Sequence, residues 1–121
     1  MDTFNYSKIK EKLAKKDLQK SKQEELLRKI AFEKAKKTAL FLKTHYQVTN
    51  VYLFGSLVWG KHYTSLSDID LMIEGFPPDQ RYFRALAMAE SMAQPISIQL
   101  VLSEDAFPDL IKRVKKEGIL L

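Results

Sequence analysis

The chain has 121 residues, 45% hydrophobic and 29% charged, with a net charge of +5 and no cysteine. That length suits one domain around one core, and the missing cysteines exclude disulfides, thiol catalysis and cysteine-ligated zinc. No apolar run approaches the roughly 18 residues of a membrane span, and no secretory apolar segment is present, so no membrane association and a cytoplasmic location are expected.

The charge is unevenly spread. Residues 1–44 hold 13 Lys/Arg against 6 Asp/Glu, whereas residues 45–121 hold 7 against 9. A basic first third suits RNA, an acidic partner or plain solvent.

Residues 7 to about 45 read as one helix, rich in Lys, Glu, Gln, Leu and Ala and free of Gly and Pro. From Leu27 an apolar face runs through Ala31, Ala35, Thr38 and Leu42, widened by Ile30 and Ala39, and should pack on a core. Before it, Ile9, Leu13 and Leu18 stand isolated among lysines. Residues 1–24 are therefore read as a basic helical arm, solvated or ordered by a second chain, and residues 25–121 as the folded domain. Val51–Phe54 is strand one, apolar enough for burial on both faces. Gly55-Ser56 turns out of it, Leu57–Gly60 makes a short helix, and Lys61–Ser67 makes a polar loop. Ile69–Ile73 is strand two, broken by Gly75-Phe76-Pro77-Pro78. A helix over 79–92 starts at a cap such as Asp79, with Phe83, Leu86, Ala87 and Ala89 at helical spacing. Ile96–Leu102 is strand three, with Ile96, Ile98, Leu100 and Leu102 on one face and Ser97, Gln99 and Val101 on the other. A last helix runs from Ser103-Glu104-Asp105 to about Lys116, with Gly118 as its stop. Three strands flanked by helices make a small α/β sandwich.

Asp68 and Asp70 lie two apart at the start of strand two, so their side chains share a face. Adjacent carboxylates repel, and a divalent cation resolves the repulsion by bridging them to substrate phosphates. Gly55 lets backbone amides approach a ligand, and a helix starting at Ser56 offers free N–H groups and a hydroxyl to an anion. Together these make a metal–triphosphate site. Trp59 offers a stacking surface for a base or an anchor for the core, the second being commoner. His62 and Lys61 are phosphate neighbours or surface charge. Arg81 and Arg84, three apart, grip a partner or nucleotide, or face solvent. Lys112, Arg113, Lys115 and Lys116 suit the negative end of a helix dipole.

Gly55-Ser56, Gly60 and Ser67-Asp68-Ile69-Asp70-Leu71 resemble, in this order and setting, the signature of the minimal nucleotidyltransferases (MNT) of the DNA polymerase β superfamily. The resemblance covers about residues 25–117. It implies an α+β (mixed α/β) fold, a three-stranded mixed sheet flanked by helices, here with a long N-terminal helical arm. It implies nucleotidyl transfer from a nucleoside triphosphate, ATP, with Mg2+ as cofactor. By that resemblance Gly55 and Ser56 bind the nucleotide, while Asp68 and Asp70 are the metal ligands and catalytic residues. Many small members are antitoxins paired with a HEPN-domain RNase toxin, and some add AMP to a tyrosine of the toxin. A hetero-oligomer with such a toxin is therefore expected, with nucleic acid reached only through the toxin or the basic arm. The alternative is a degenerate MNT-fold antitoxin that neutralises by binding alone; transfer to RNA or a small molecule ranks third. Two departures bear on this. Residues 57–67 form a loop one residue longer than the family's usual spacing, which a loop absorbs. The family's third acid, on strand three, is replaced by Ser97 or Gln99, and a Gln amide cannot serve as a base. Glu74 has the parity of Asp70 but lies about 13 Å further along the strand. Glu104 and Asp105 fall beyond the end of strand three.

Overall fold

The computed structural model describes residues 6–121, without the side chains of residues 6–9, 13 and 17. The expectations placed on residues 1–5, Ile9 and Leu13 lie outside the described residues. Helix α1, Tyr6–His45, is 40 residues long, a rod of about 60 Å at 1.5 Å per residue. It ends where Gln47 takes a left-handed backbone with φ 57°, a common way to stop a helix. The expected apolar face is the buried one: Ala31, Ala35, Thr38, Ala39 and Leu42 are all buried. Thr38 satisfies its hydroxyl by donating to the Lys34 carbonyl at 2.8 Å. Ile30 departs from the expectation. It is 41% exposed, as are Leu18, Leu26 and Leu40 to greater degrees.

Five further elements follow: β1 (Asn50–Phe54), α2 (Ser56–Trp59), β2 (Ile69–Glu74), α3 (Tyr82–Ala93) and β3 (Ile98–Leu102). A 3-10 turn at Ser103–Asp105 leads to α4 (Pro108–Glu117) and β4 (Ile119–Leu120). The sheet order is β3-β2-β1-β4, so the sheet has four strands rather than three. β2 is antiparallel to β1 and parallel to β3, which makes the sheet mixed. β4 escapes a reading of periodicity because two residues have none. It is held by pairing with Tyr52 and Leu53, and by Leu121, whose N–H donates to Val51 at 2.8 Å and whose carbonyl accepts from Lys43.

Strand alternation sends Val51, Leu53, Ile69, Leu71, Ile73, Ile98 and Leu100 into one core, against α1 and α3. Three alanines of α1 (31, 35, 39) and three of α3 (85, 89, 93) belong to that core, all at most 1% exposed. Spaced four apart, they form small-residue ridges that let the two helices pack closely. This seam corrects half of the expected face of α3: Leu86 and Ala89 pack as expected, joined by Tyr82 and Ala85, whereas Phe83 is 79% exposed and Ala87 faces solvent too. Its N-cap is Arg81, without a side-chain cap, rather than Asp79. The opposite face of the sheet carries Tyr52, Phe54, Met72 and Val101 and is covered by α4 through Leu110, Ile111 and Val114. Truncating a fully buried residue such as Leu71 to Ala costs about 2–5 kcal/mol in cores of this kind.

Candidate active site

The first core decides the site by parity. With Ile69, Leu71 and Ile73 turned toward α1 and α3, residues 68, 70, 72 and 74 take the other face. Met72 is buried there under α4, and Asp70 lies toward the N-terminal end of β2. In register, Asp70 stands between Phe54 of β1 and Gln99 of β3. Phe54 is the last residue before Gly55, so the end of one strand and the start of the next meet.

Gly55 is fixed by this meeting. Its φ of 79° lies where L side chains are strained, and a Cβ there would come 2.2 Å from an Asp70 carboxylate oxygen. The space a side chain would fill is the space in which the turn faces Asp70. From Gly55 the chain enters α2, with the N–H groups of Val58 and Trp59 both donating to the Gly55 carbonyl at 3.0 Å. The N–H groups of Ser56 and Leu57, in the first turn, have no acceptor within the helix. Arg28 of α1 holds the turn from behind, donating to the Leu57 carbonyl at 3.1 Å and the Gly60 carbonyl at 2.9 Å.

The electrostatics follow from burial. Asp70 is pushed above the ordinary aspartate range, first by desolvation and then by the Asp68 charge. Among the described residues neither aspartate has an ion pair. Among the described residues the Asp68 carboxylate accepts one hydrogen bond, from the Gln99 amide at 3.3 Å. The two carboxylates supply hard oxygen donors beside a backbone cradle, and their charge is uncompensated by the protein. That donor set fits a divalent cation. Among the described residues no third His, Cys, Asp or Glu joins them. Glu74 is at the far end of β2, bound to Lys115 and Asn50. Glu104 and Asp105 follow Leu102, which pairs with Ile73 rather than with the Asp70 end.

A family model described as "Polymerase beta, Nucleotidyltransferase" matches residues 33–121. The chain belongs to that family. No curated protein gives a significant match. Among the described residues no helix is long and apolar enough to cross a membrane.

Other residues of this nucleotidyltransferase domain fall out differently. Trp59 packs on Phe54 with centroids 6.1 Å apart, and the Arg113 guanidinium covers its ring at 4.1 Å. The ring is thus an intramolecular anchor here, and Arg113 has a partner beyond the helix dipole. His62 lies 3.4 Å from Glu24, and Lys61 is exposed. Tyr63 lies in the loop as expected, but it is fully buried, donating its hydroxyl to the Asp68 carbonyl at 3.1 Å. Arg28 was not singled out from the sequence. A lone Arg among many cations carries no local sign that two distant carbonyls await it.

Proposed function

We propose that the chain is an MNT-type antitoxin that transfers AMP from ATP, with Mg2+, to a tyrosine of a partner HEPN-domain RNase toxin. The observation that carries this reading is the placement of the Gly55-Ser56 turn against Asp70, with Asp68 beside it, at one end of the sheet. In it, the Ser56 and Leu57 N–H groups and the Ser56 hydroxyl take the triphosphate. Asp68 and Asp70 hold Mg2+. When bound, Mg2+ neutralises phosphate charge and orients the pyrophosphate as leaving group. Arg28 keeps the turn from yielding under the load of a charged ligand, because both its bonds are to turn carbonyls. The toxin's phenol oxygen bonds to the α-phosphorus, the bond to pyrophosphate breaks, and the phenol proton goes to water, since Gln99 cannot accept it. Incubation with α-labelled ATP, Mg2+ and the product of the neighbouring gene, which this reading takes to be a HEPN-domain toxin, tests it. Label on a toxin tyrosine is expected; no transfer, or equal transfer by Asp70→Asn, sinks it.

One observation favours a second reading. Gln99, which with Ser97 takes the place of the family's third acid, donates its amide to Asp68 at 3.3 Å, and that amide cannot serve as a base. In that reading the chain is a degenerate antitoxin that neutralises by binding alone. An Asp68→Asn/Asp70→Asn variant that binds the toxin and still protects cells selects it; binding without protection selects transfer.

A further inference from the structure

We propose that a second site, between the end of α1 and the start of α3, binds a nucleoside 5′-phosphate. A cavity of about 570 Å³ opens there, within the roughly 300–1,000 Å³ typical of small-molecule sites. Its two sides differ in chemistry. Arg81 and Arg84 of the α3 side both line it. Both are exposed, and among the described residues neither guanidinium has a hydrogen bond or ion pair. α3 packs on the domain through Tyr82, Ala85, Leu86 and Ala89, so the arginines have no part in that packing. Two like charges a turn apart repel each other until an anion joins them.

The α1 side is aromatic. Phe41 and His45 stack with ring centroids 4.5 Å apart and 27° between planes. Tyr46 meets Phe41 edge-on at 5.8 Å. Met88, 44% exposed, adds an apolar surface to the same cavity. Asp79 contributes one negative charge to the lining, which leaves the two arginines in excess.

A ligand matched to both sides has a flat ring joined to an anion. A nucleobase extends the Phe41–His45 stack, and the guanidinium forks take its phosphate. This is not the triphosphate site. β1 starts at Asn50, four residues after Tyr46, and ends at Phe54, whose partner is Asp70; four residue steps of about 3.3 Å separate the two ends of the strand by about 13 Å. The phosphate has two possible sources, a free nucleotide or the 5′ end of a single strand.

The test is calorimetric titration of the full-length Asp68→Asn/Asp70→Asn chain in EDTA, so that the metal site is silent and transfer plays no part. AMP is expected to bind with one site per chain. Adenosine and inorganic phosphate are each expected to bind at least about tenfold more weakly. Arg81→Ala, Arg84→Ala and His45→Ala, all at exposed positions, each weaken AMP by about tenfold, in line with the loss of a charge-assisted bond or a stacked base. The dinucleotide pApA binding as tightly as AMP assigns the site to strand ends; AMP binding alone assigns it to free nucleotide. No binding of AMP at millimolar concentration, phosphate as tight as AMP, or an unchanged affinity in Arg81→Ala/Arg84→Ala overturns the proposal.

Discussion

β2 carries carboxylates on one face at both ends, and their fates are opposite. At the far end Glu74 meets the Lys115 ammonium at 2.8 Å and the Asn50 amide at 3.1 Å. Its carboxyl falls below the ordinary range, through the Lys115 hydrogen bond first and the Asn50 bond second. At the near end Asp70 is pushed up by burial and by Asp68, and among the described residues the one hydrogen bond to the two carboxylates comes from a neutral amide. Same strand, same face and same chemical class, yet one end is neutralised and the other is left charged. The Glu74 end shows how this fold treats a carboxylate that serves stability. The Asp68/Asp70 end has no cationic partner of that kind among the described residues.

Replacing Asp70 by Asn tests that contrast most severely. Mg2+-dependent transfer is expected to fall by about a thousandfold or more, as when a group acting on transition-state charge is lost. The metal-free variant is nonetheless expected to melt above wild type at neutral pH. A carboxyl whose folded value is raised above 3.8 costs stability once ionised. That cost is absent below pH 3.8, where the group is protonated folded and unfolded, and it grows as pH rises through the raised folded value. The melting difference should therefore shrink on acidification; a lower melting point at neutral pH would count against an uncompensated charge.

Gly55→Ala comes next. The strained φ and the 2.2 Å approach to Asp70 predict a loss of about 2–3 kcal/mol in chemical denaturation. Weakened Mg2+–ATP binding by whatever still folds is also expected. Unchanged stability would mean that the turn has room the geometry denies.

Gln99→Asp turns the near end further from the Glu74 pattern by adding a third carboxylate. Expected outcomes are a lower melting point in EDTA and a larger rise on adding Mg2+, corresponding to roughly tenfold tighter binding, or about 1.4 kcal/mol. If Mg2+ raises both proteins equally, residue 99 does not face the metal.

The smallest effect belongs to Glu74→Gln. Its lowered carboxyl contributes stability above pH 4.5 that is lost as pH falls through the depressed folded value. The variant should melt slightly lower at neutral pH and lose less on acidification. An acid-unfolding profile identical to wild type would show that the bridge to Lys115 is idle.

Much of this fold could be read from the chain because its signals are local. The stripe Leu27-Ala31-Ala35-Thr38-Leu42, half-buried at Leu27 and buried beyond it, repeats at helical spacing, and the alternation of Ile96, Ser97, Ile98, Gln99 and Leu100 matches their burial. The Asp68/Asp70 pair shares a face by strand parity alone. What escaped depends on distant partners. On α3 the reading through Phe83, Leu86, Ala87 and Ala89 competed with one through Ala85, Ala89 and Ala93, and only the alanines of α1 decide between them. Tyr63 is the loop residue it looked like, but its contact with Arg28, 5.8 Å from the ring, comes from a helix 35 positions earlier. Gln99 was visible as a missing acid, but its bond to Asp68 was not.

Tyr63 has one more consequence. Its phenol is pushed up to about 12, by burial first and then by Asp70 and Asp68. The hydroxyl is committed to the Asp68 carbonyl, and the ring has no exposed surface. An enzyme that modifies tyrosines would thus carry one beside its own aspartates as a protonated, sealed and poorly nucleophilic group. Self-labelling at this position is shut off by the packing itself. Mass spectrometry after incubation with ATP and Mg2+ should find Tyr63 unmodified.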